Sequence, residues 1–249
     1  MLIEMFKKPT RDTPRLSAVA RLMSETPGLR EAYGSLYAGI RLDACFAPGT
    51  SVLVTSTQPS EGKTTVATCL AVTASSAGQS TLLIDGDLRR PWLARATGIA
   101  DGVGFSDVLD GSAKPAEAIN AIELHGGQRQ VFSLSVMSAG RRSPAFLPAV
   151  DWAKAKIAFR SLSQQFGIVV LDSPPILAAK DALLLAGIVD AVLLVIAAGG
   201  ADRDEVRRAK DQLEHTGAKV IGAVLNKFDP KLHGRSNQPY CDYYLEAPS

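Results

Sequence analysis

Gly62-Lys63-Thr64-Thr65 is the stretch of this chain best suited to hold an anion. It follows a short β-branched apolar run, Val52 to Val54, and a polar loop, and it opens an apolar helix running to about Ser76. Strand, loop, Gly-Lys-Thr and helix together make a phosphate-binding P-loop. Free N–H groups at a helix start attract anionic oxygens, and the helix dipole adds to this. Ser60, Glu61, Gly62, Lys63, Thr64 and Thr65 are the expected cofactor-binding residues. Lys63 can reach the β/γ-phosphates, and the Thr64 hydroxyl can ligate Mg²⁺. The strict spacing G-x-x-x-x-G-K-[ST] is not met, because Thr57 stands where the first glycine would fall.

Two further segments bring carboxylates. Thr81-Leu82-Leu83-Ile84 reads as a buried strand that runs into Asp85-Gly86-Asp87-Leu88-Arg89-Arg90-Pro91. In an open α/β sheet the C-terminal strand ends line the ligand crevice, so both acids are expected beside the P-loop phosphates. Ile168-Val169-Val170-Leu171-Asp172 has the Walker B form, in which a buried strand delivers a carboxylate to the Mg²⁺ shell. Ser173-Pro174-Pro175 then turns the chain out sharply.

The elements that must position these groups alternate along the chain. Helices are expected over 29–46, 150–166 and 202–216, and strands over 131–137, 191–197 and 220–225. Residues 98–127 read as glycine-rich and irregular, with short helical pieces near 105–109 and 115–121. The fold class that follows is α/β: a P-loop NTPase with a mostly parallel sheet and helices on both faces. Residues 29–233 form that domain. Residues 1–28 read as a loosely attached basic arm, since Lys7, Lys8, Arg11, Arg15 and Arg21 outnumber Glu4, Asp12 and Glu25. Residues 234–249 read as a flexible tail that carries Tyr240, Tyr243 and Tyr244, three of the five tyrosines.

Composition narrows the field. An apolar fraction of 46% and a net charge of +2 suit a packed globular domain and give no nucleic-acid-coating surface. Three scattered cysteines without a C-x-x-C fit a reducing compartment, and three separated histidines offer no metal cluster. Charges occupy Met1 to Arg15, where a signal peptide needs an apolar run. The apolar stretch from Ala182 to Ala198 carries Asp190 at its middle, a costly place for a charge in a bilayer, so it reads as a helix, a break at Gly187 and a buried strand.

Four segments resemble the bacterial tyrosine kinases of capsular and exopolysaccharide synthesis. They are the Walker A form Ser-x-x-Pro-x-Glu-Gly-Lys-Thr within Thr55–Thr65, the second acidic motif Leu-Leu-Ile-Asp-x-Asp-x-Arg-x-Pro over Leu82–Pro91, Walker B ending Asp-Ser-Pro-Pro over Val169–Pro175, and the tyrosine tail. The resemblance implies ATP and Mg²⁺ as cofactors. It implies that Lys63 holds the ATP phosphates, that Thr64 and Asp172 serve the metal, and that Asp85 and Asp87 divide base and metal duties, with Asp85 favoured as base. Arg89 would support the acidic motif and Asn226 would read the adenine. Tyr240, Tyr243 and Tyr244 would be autophosphorylated in trans. The family's ring-forming helix, Glu-x-x-Arg-x-x-Arg, is altered here: Glu31 is kept, but Gly34 and Tyr37 replace both arginines. Efficient ring assembly is therefore not expected. The resemblance also implies a cytoplasmic chain, recruited to the inner face of the plasma membrane by a membrane-anchored polysaccharide co-polymerase that activates it.

Three other readings compete. A regulatory or partitioning P-loop ATPase would carry a signature lysine at position 58, where this chain has Gln58. A GTPase is suggested by Asn226-Lys227-Phe228-Asp229, which spells the guanine-reading Asn-Lys-x-Asp. A non-catalytic nucleotide-binding scaffold would need none of the transfer chemistry.

Overall fold

The computed structural model describes residues 15–43, 46–100, 102–127, 130–141, 143–200 and 202–228. Tyr240, Tyr243, Tyr244, Asp229 and the first half of the expected N-terminal arm lie outside the described residues.

Seven strands form one sheet: β1 (Thr50–Ser56), β2 (Thr81–Asp85), β3 (Ile119–His125), β4 (Val131–Met137), β5 (Ile168–Asp172), β6 (Ala191–Ala197) and β7 (Val220–Asn226). Their order is β3-β4-β2-β5-β1-β6-β7. All neighbours run parallel except β3 and β4, which are antiparallel. The P-loop strand β1 is thus central, flanked by β5 and β6. Successive side chains on a strand point to opposite faces. Val52 and Val54 accordingly join one core layer and Leu53 the other. Both faces are covered, which is why β1, β2 and β5 are apolar almost throughout.

Helices α1 (Arg15–Glu25), α2 (Pro27–Leu42) and α3 (Lys63–Ser76) lie on one side. The other face is covered by α5 (Phe105–Leu109), α7 (Trp152–Ser163), α8 (Asp181–Ala186) and α9 (Arg203–His215). Short helices α4 (Leu93–Thr97) and α6 (Pro115–Ala118) connect elements. Helix α3 is buried nearly all round, so its sequence shows no polar face.

Two expectations need correction. The arm is not loosely attached over its second half: α1 sits on the core through Leu16, Val19, Ala20 and Met23, all at most 5% exposed. Those positions recur at i, i+3, i+4 and i+7, the stripe of an amphipathic helix. The segment 119–125, expected to be irregular beyond a helical piece, is the edge strand β3. Its antiparallel partner β4 follows after a short turn, and only Leu124 of β3 is fully buried, so the strand lacks a strong apolar signal. The core role of α1 has a measurable consequence. Leu16→Ala should lower unfolding free energy by about 2–5 kcal/mol, as for other fully buried leucines. Urea denaturation of parent and variant tests this; unchanged stability would return the segment to the status of an arm.

Candidate active site

The site is built where the C-terminal ends of β1, β2 and β5 meet the start of α3. Register sets the carboxylates. Asp85 on β2 pairs with Asp172 on β5, and Val54 on β1 pairs with the same Asp172. Two neighbouring parallel strands therefore deliver two carboxylates to one rung. Gly86 is needed directly after, since a Cβ there would lie 2.6 Å from the Asp172 carbonyl oxygen. The chain can then turn and place Asp87 over the P-loop.

Lys63 Nζ lies 3.3 Å from Asp87 Oδ2, and both side chains are largely buried. The Thr64 hydroxyl donates to Asp172 Oδ2 at 2.7 Å, and the Trp92 indole N–H donates to the same oxygen at 2.9 Å. Asp172 Oδ1 is buried with no hydrogen-bond partner. Burial raises the Asp172 pKa, against a lowering by the nearby Lys63 charge. Asp85 is raised to about 7, first by burial and next by the Asp172 charge, against lowering by the Leu93 and Trp92 main-chain N–H groups. Three carboxylates thus converge on one lysine, and the excess negative charge would favour a divalent cation. A buried carboxylate oxygen without a partner, beside a threonine hydroxyl at a helix start, fits Mg²⁺ chemistry. Among the described residues no group of three or more His, Cys, Asp or Glu could hold a metal. Mg²⁺ at phosphate sites takes only one or two carboxylates and completes its shell with phosphate and water, so the small donor set suits it.

The two acids of the second motif have different surroundings. Asp85 is fully buried; its Oδ2 accepts from the Trp92 and Leu93 N–H groups at 2.7 and 2.9 Å, and its Oδ1 from the Asp87 N–H at 3.2 Å. It shapes the turn from β2 into α4. Asp87 instead lines a cavity of about 220 Å³ together with Ser60, Lys63, Arg89 and Pro174. Of the two, Asp87 is the carboxylate that an incoming group can meet. Arg89 reaches the same cavity while its guanidinium is held in a two-point ion pair with Asp181, at 2.7 and 3.1 Å.

The loop itself is braced from inside. Glu61 is 4% exposed, and its carboxylate accepts from the Thr57 hydroxyl at 2.7 Å, the Gln58 N–H at 2.7 Å and the Ala197 N–H at 3.2 Å. Its side chain faces protein, so only its main chain is left for a ligand. Ser60 and Gly62 adopt positive φ, 68° and 100°, which turns the loop around. At Gly62 a Cβ would collide with the Asn226 amide, so the glycine is sterically required. Asn226 donates through Nδ2 to the Glu61 carbonyl at 2.8 Å, and Lys227 Nζ donates to the Ser60 carbonyl at 2.6 Å. Sequence reasoning placed Asn226 at the site but missed this bracing, and missed Trp92 and Asp181 altogether. Trp92 directly follows the acidic motif and Asp181 opens α8, so neither stood in a recognisable motif. Removing the internal brace should be costly. Glu61→Ala leaves buried N–H donors unpaired and should lower stability by about 2–4 kcal/mol and weaken nucleotide binding with it. Thermal melting with and without nucleotide checks this, and a parent-like melt would show that the loop holds itself.

Comparison with known proteins bears on this geometry. Residues 52–248 match the CobQ/CobB/MinD/ParA nucleotide binding domain. The chain is 33% identical over 208 residues to the tyrosine-protein kinase YwqD of Bacillus subtilis, covering 82% of this chain and 84% of that one. This chain belongs to the bacterial tyrosine-protein kinases. Within that family it is also 32% identical over 214 residues to the putative tyrosine-protein kinase CapB of Staphylococcus aureus, covering 84% and 89% of the two chains. The kinase domain of the Escherichia coli tyrosine kinase ETK superposes with a TM-score of 0.70 at 25% identity, covering 84% of this chain and 81% of that one. The cell division ATPase MinD of Pyrococcus furiosus superposes with a TM-score of 0.60 at 25% identity, covering 80% and 81%. Kinase and partitioning-type ATPase thus share one scaffold, and the family member here carries the acidic pair Asp85 and Asp87 on it.

Proposed function

We propose that this chain is an ATP- and Mg²⁺-dependent protein-tyrosine kinase whose acceptors include Tyr240, Tyr243 and Tyr244 of its own tail. The observation that carries the reading is the convergence of Lys63–Asp87 and Thr64–Asp172 on one P-loop, in a chain of this kinase family. Phosphoryl transfer needs positioning and charge stabilisation more than covalent chemistry. Lys63 would neutralise phosphate oxygens. Thr64 and Asp172, with Asp87 at the rim, would hold Mg²⁺, which supplies further charge neutralisation on the phosphates. Asp87 would accept the tyrosine proton, since Asp85 has both oxygens committed to main-chain donors. Arg89 stands where a phosphate or an acceptor passes.

Asn226 supports a preference for ATP. Its Nδ2 is engaged by the Glu61 carbonyl, so only the acceptor Oδ1 is left for a base. An acceptor suits the exocyclic amino group of adenine and opposes O6 of guanine, itself an acceptor. Displacement of a fluorescent ATP analogue should therefore need less ATP than GTP. The reverse order would favour the GTPase reading.

The second reading is a regulatory ATPase, favoured by the likeness to MinD. Against it, the side chain of Gln58, at the place of the signature lysine, is spent within this chain on Glu205 of α9 at 3.0 Å. Phosphoamino-acid analysis after incubation with γ-labelled ATP and Mg²⁺ separates the two: label on tyrosine supports the kinase, and release of all label as free phosphate supports the ATPase.

For assembly, the ring helix corresponds to α2. A side chain at Gly34 would meet open space, whereas Tyr37 is 6% exposed and part of the core. An arginine at 37 would replace a buried ring, so the altered motif cannot be restored there without cost. Among the described residues, no helix is long and apolar enough to cross a membrane. A membrane-anchored polysaccharide co-polymerase would bring the chain to the inner face of the membrane and activate it in capsule or exopolysaccharide synthesis and export. The likeness to the chimerical protein CapA2B2, with a TM-score of 0.70 at 27% identity, supports this reading.

A further inference from the structure

A second cavity adjoins the first. It has a volume of about 800 Å³ and an almost wholly apolar wall, formed by Pro144, Ala145, Leu147, Pro148, Leu183 and Leu184. Pro144 to Ala149 is a 3₁₀ turn opened by Ser143, and Leu183 and Leu184 belong to α8. The rim is charged: Arg89, Lys180 and Asp181 border it. Arg89 lines this groove and also the catalytic cavity that holds Lys63 and Asp87, so the two spaces meet at one side chain. The Asp181 ion pair holds the guanidinium at that junction. Leu183 and Leu184 are only half-buried, and Pro148 and Ala145 are exposed, so the wall is open to a ligand.

We propose that this groove seats the tail segment Tyr240-Cys241-Asp242-Tyr243-Tyr244-Leu245-Glu246 and so sets which tyrosines meet the catalytic cavity. The proposal rests on the kinase reading above and deepens it. Composition matches groove to segment. Three tyrosines and a leucine supply apolar bodies for the floor, and Asp242 and Glu246, with no base among them, face the cations of the rim. Reach is also sufficient. Strand β7 ends at Asn226, whose side chain rests on the P-loop itself, and the described chain stops at Phe228. From Phe228 to Tyr243 an extended chain spans roughly 50 Å, longer than a domain of this size is wide, so the segment can reach the groove of its own subunit or of a neighbour. Lys180 carries the charge that does not already serve Asp181, and it is exposed at the entrance.

The test uses the full chain with Leu245 replaced by photoreactive benzoylphenylalanine. Irradiation followed by peptide mapping should place crosslinks on 144–148 and 183–184. Lys180→Glu should reduce the yield about tenfold by setting an acid against Asp242 and Glu246, and adding Glu246→Lys should restore it. Crosslinking needs no phosphate transfer. A protein that makes these crosslinks but no phosphotyrosine would sink the kinase reading and leave the docking groove standing. Crosslinks mapped elsewhere, no crosslinks, or a yield indifferent to Lys180→Glu would overturn the groove assignment.

Discussion

Lys63→Met abolishes phosphotyrosine formation, a loss of at least about 10³-fold, the scale on which a positioned charge at a transferring group acts. The methionine keeps the length and the apolar stem but removes the only cation that touches Asp87 at the P-loop. Asp85, Asp87 and Asp172 would then face a bound nucleotide with no lysine between them. The fold should survive, because the residue is at the first turn of α3 and its charge faces the crevice rather than the core. Circular dichroism and labelled-ATP transfer, run on the same preparation, separate the two effects. A variant that transfers phosphate to tyrosine at the parent rate would refute the P-loop assignment.

Asp172→Asn has a two-part signature. The amide matches the carboxylate in shape, so Thr64 and Trp92 can keep their bonds to its oxygen. The nitrogen would occupy the place of the unpartnered, buried Oδ1. Burial disfavours the charge at this position, so a neutral group there should leave the nucleotide-free protein as stable as the parent, or more stable. Mg²⁺-dependent nucleotide affinity should fall at least about tenfold, since the charge offered to the metal is gone. Asp85→Asn should behave oppositely. Its carboxylate accepts three N–H groups and an amide cannot accept all of them, so stability should drop by about 1–3 kcal/mol. Melting curves and Mg²⁺-titrated nucleotide binding of both variants give the comparison. Equal behaviour of the two would mean that Asp85 and Asp172 share one role.

Much of this was legible in the sequence. The P-loop, the strand-borne acids and the alternation of buried strands with helices are local patterns, and register then brings the acids together as the strand ends predicted. The base assignment was not legible. Asp85 and Asp87 look equivalent in a string, and only the main-chain N–H groups of Trp92 and Leu93, seven and eight residues on from Asp85, separate them. Glu61 shows a similar limit: in sequence it belongs to a phosphate loop, but its carboxylate turns inward to Ala197 on β6, a contact across 136 residues. The N-terminal helix failed for another reason. Its apolar spacing was present, but the basic residues around it carried more weight in the reading than Leu16, Val19, Ala20 and Met23. Strand β3 carried little apolar signal of its own and is held by its ladder with β4.

The central claim, tyrosine phosphorylation at this P-loop, is tested most directly by mapping phosphate on the full chain after incubation with ATP and Mg²⁺. Tandem mass spectrometry should find phosphate on Tyr240, Tyr243 and Tyr244 in the parent and on none of them in Lys63→Met. ATP consumed with the tail unmodified, in the presence of an activating membrane-protein segment as well as without it, would contradict the account and identify the site as that of an ATPase.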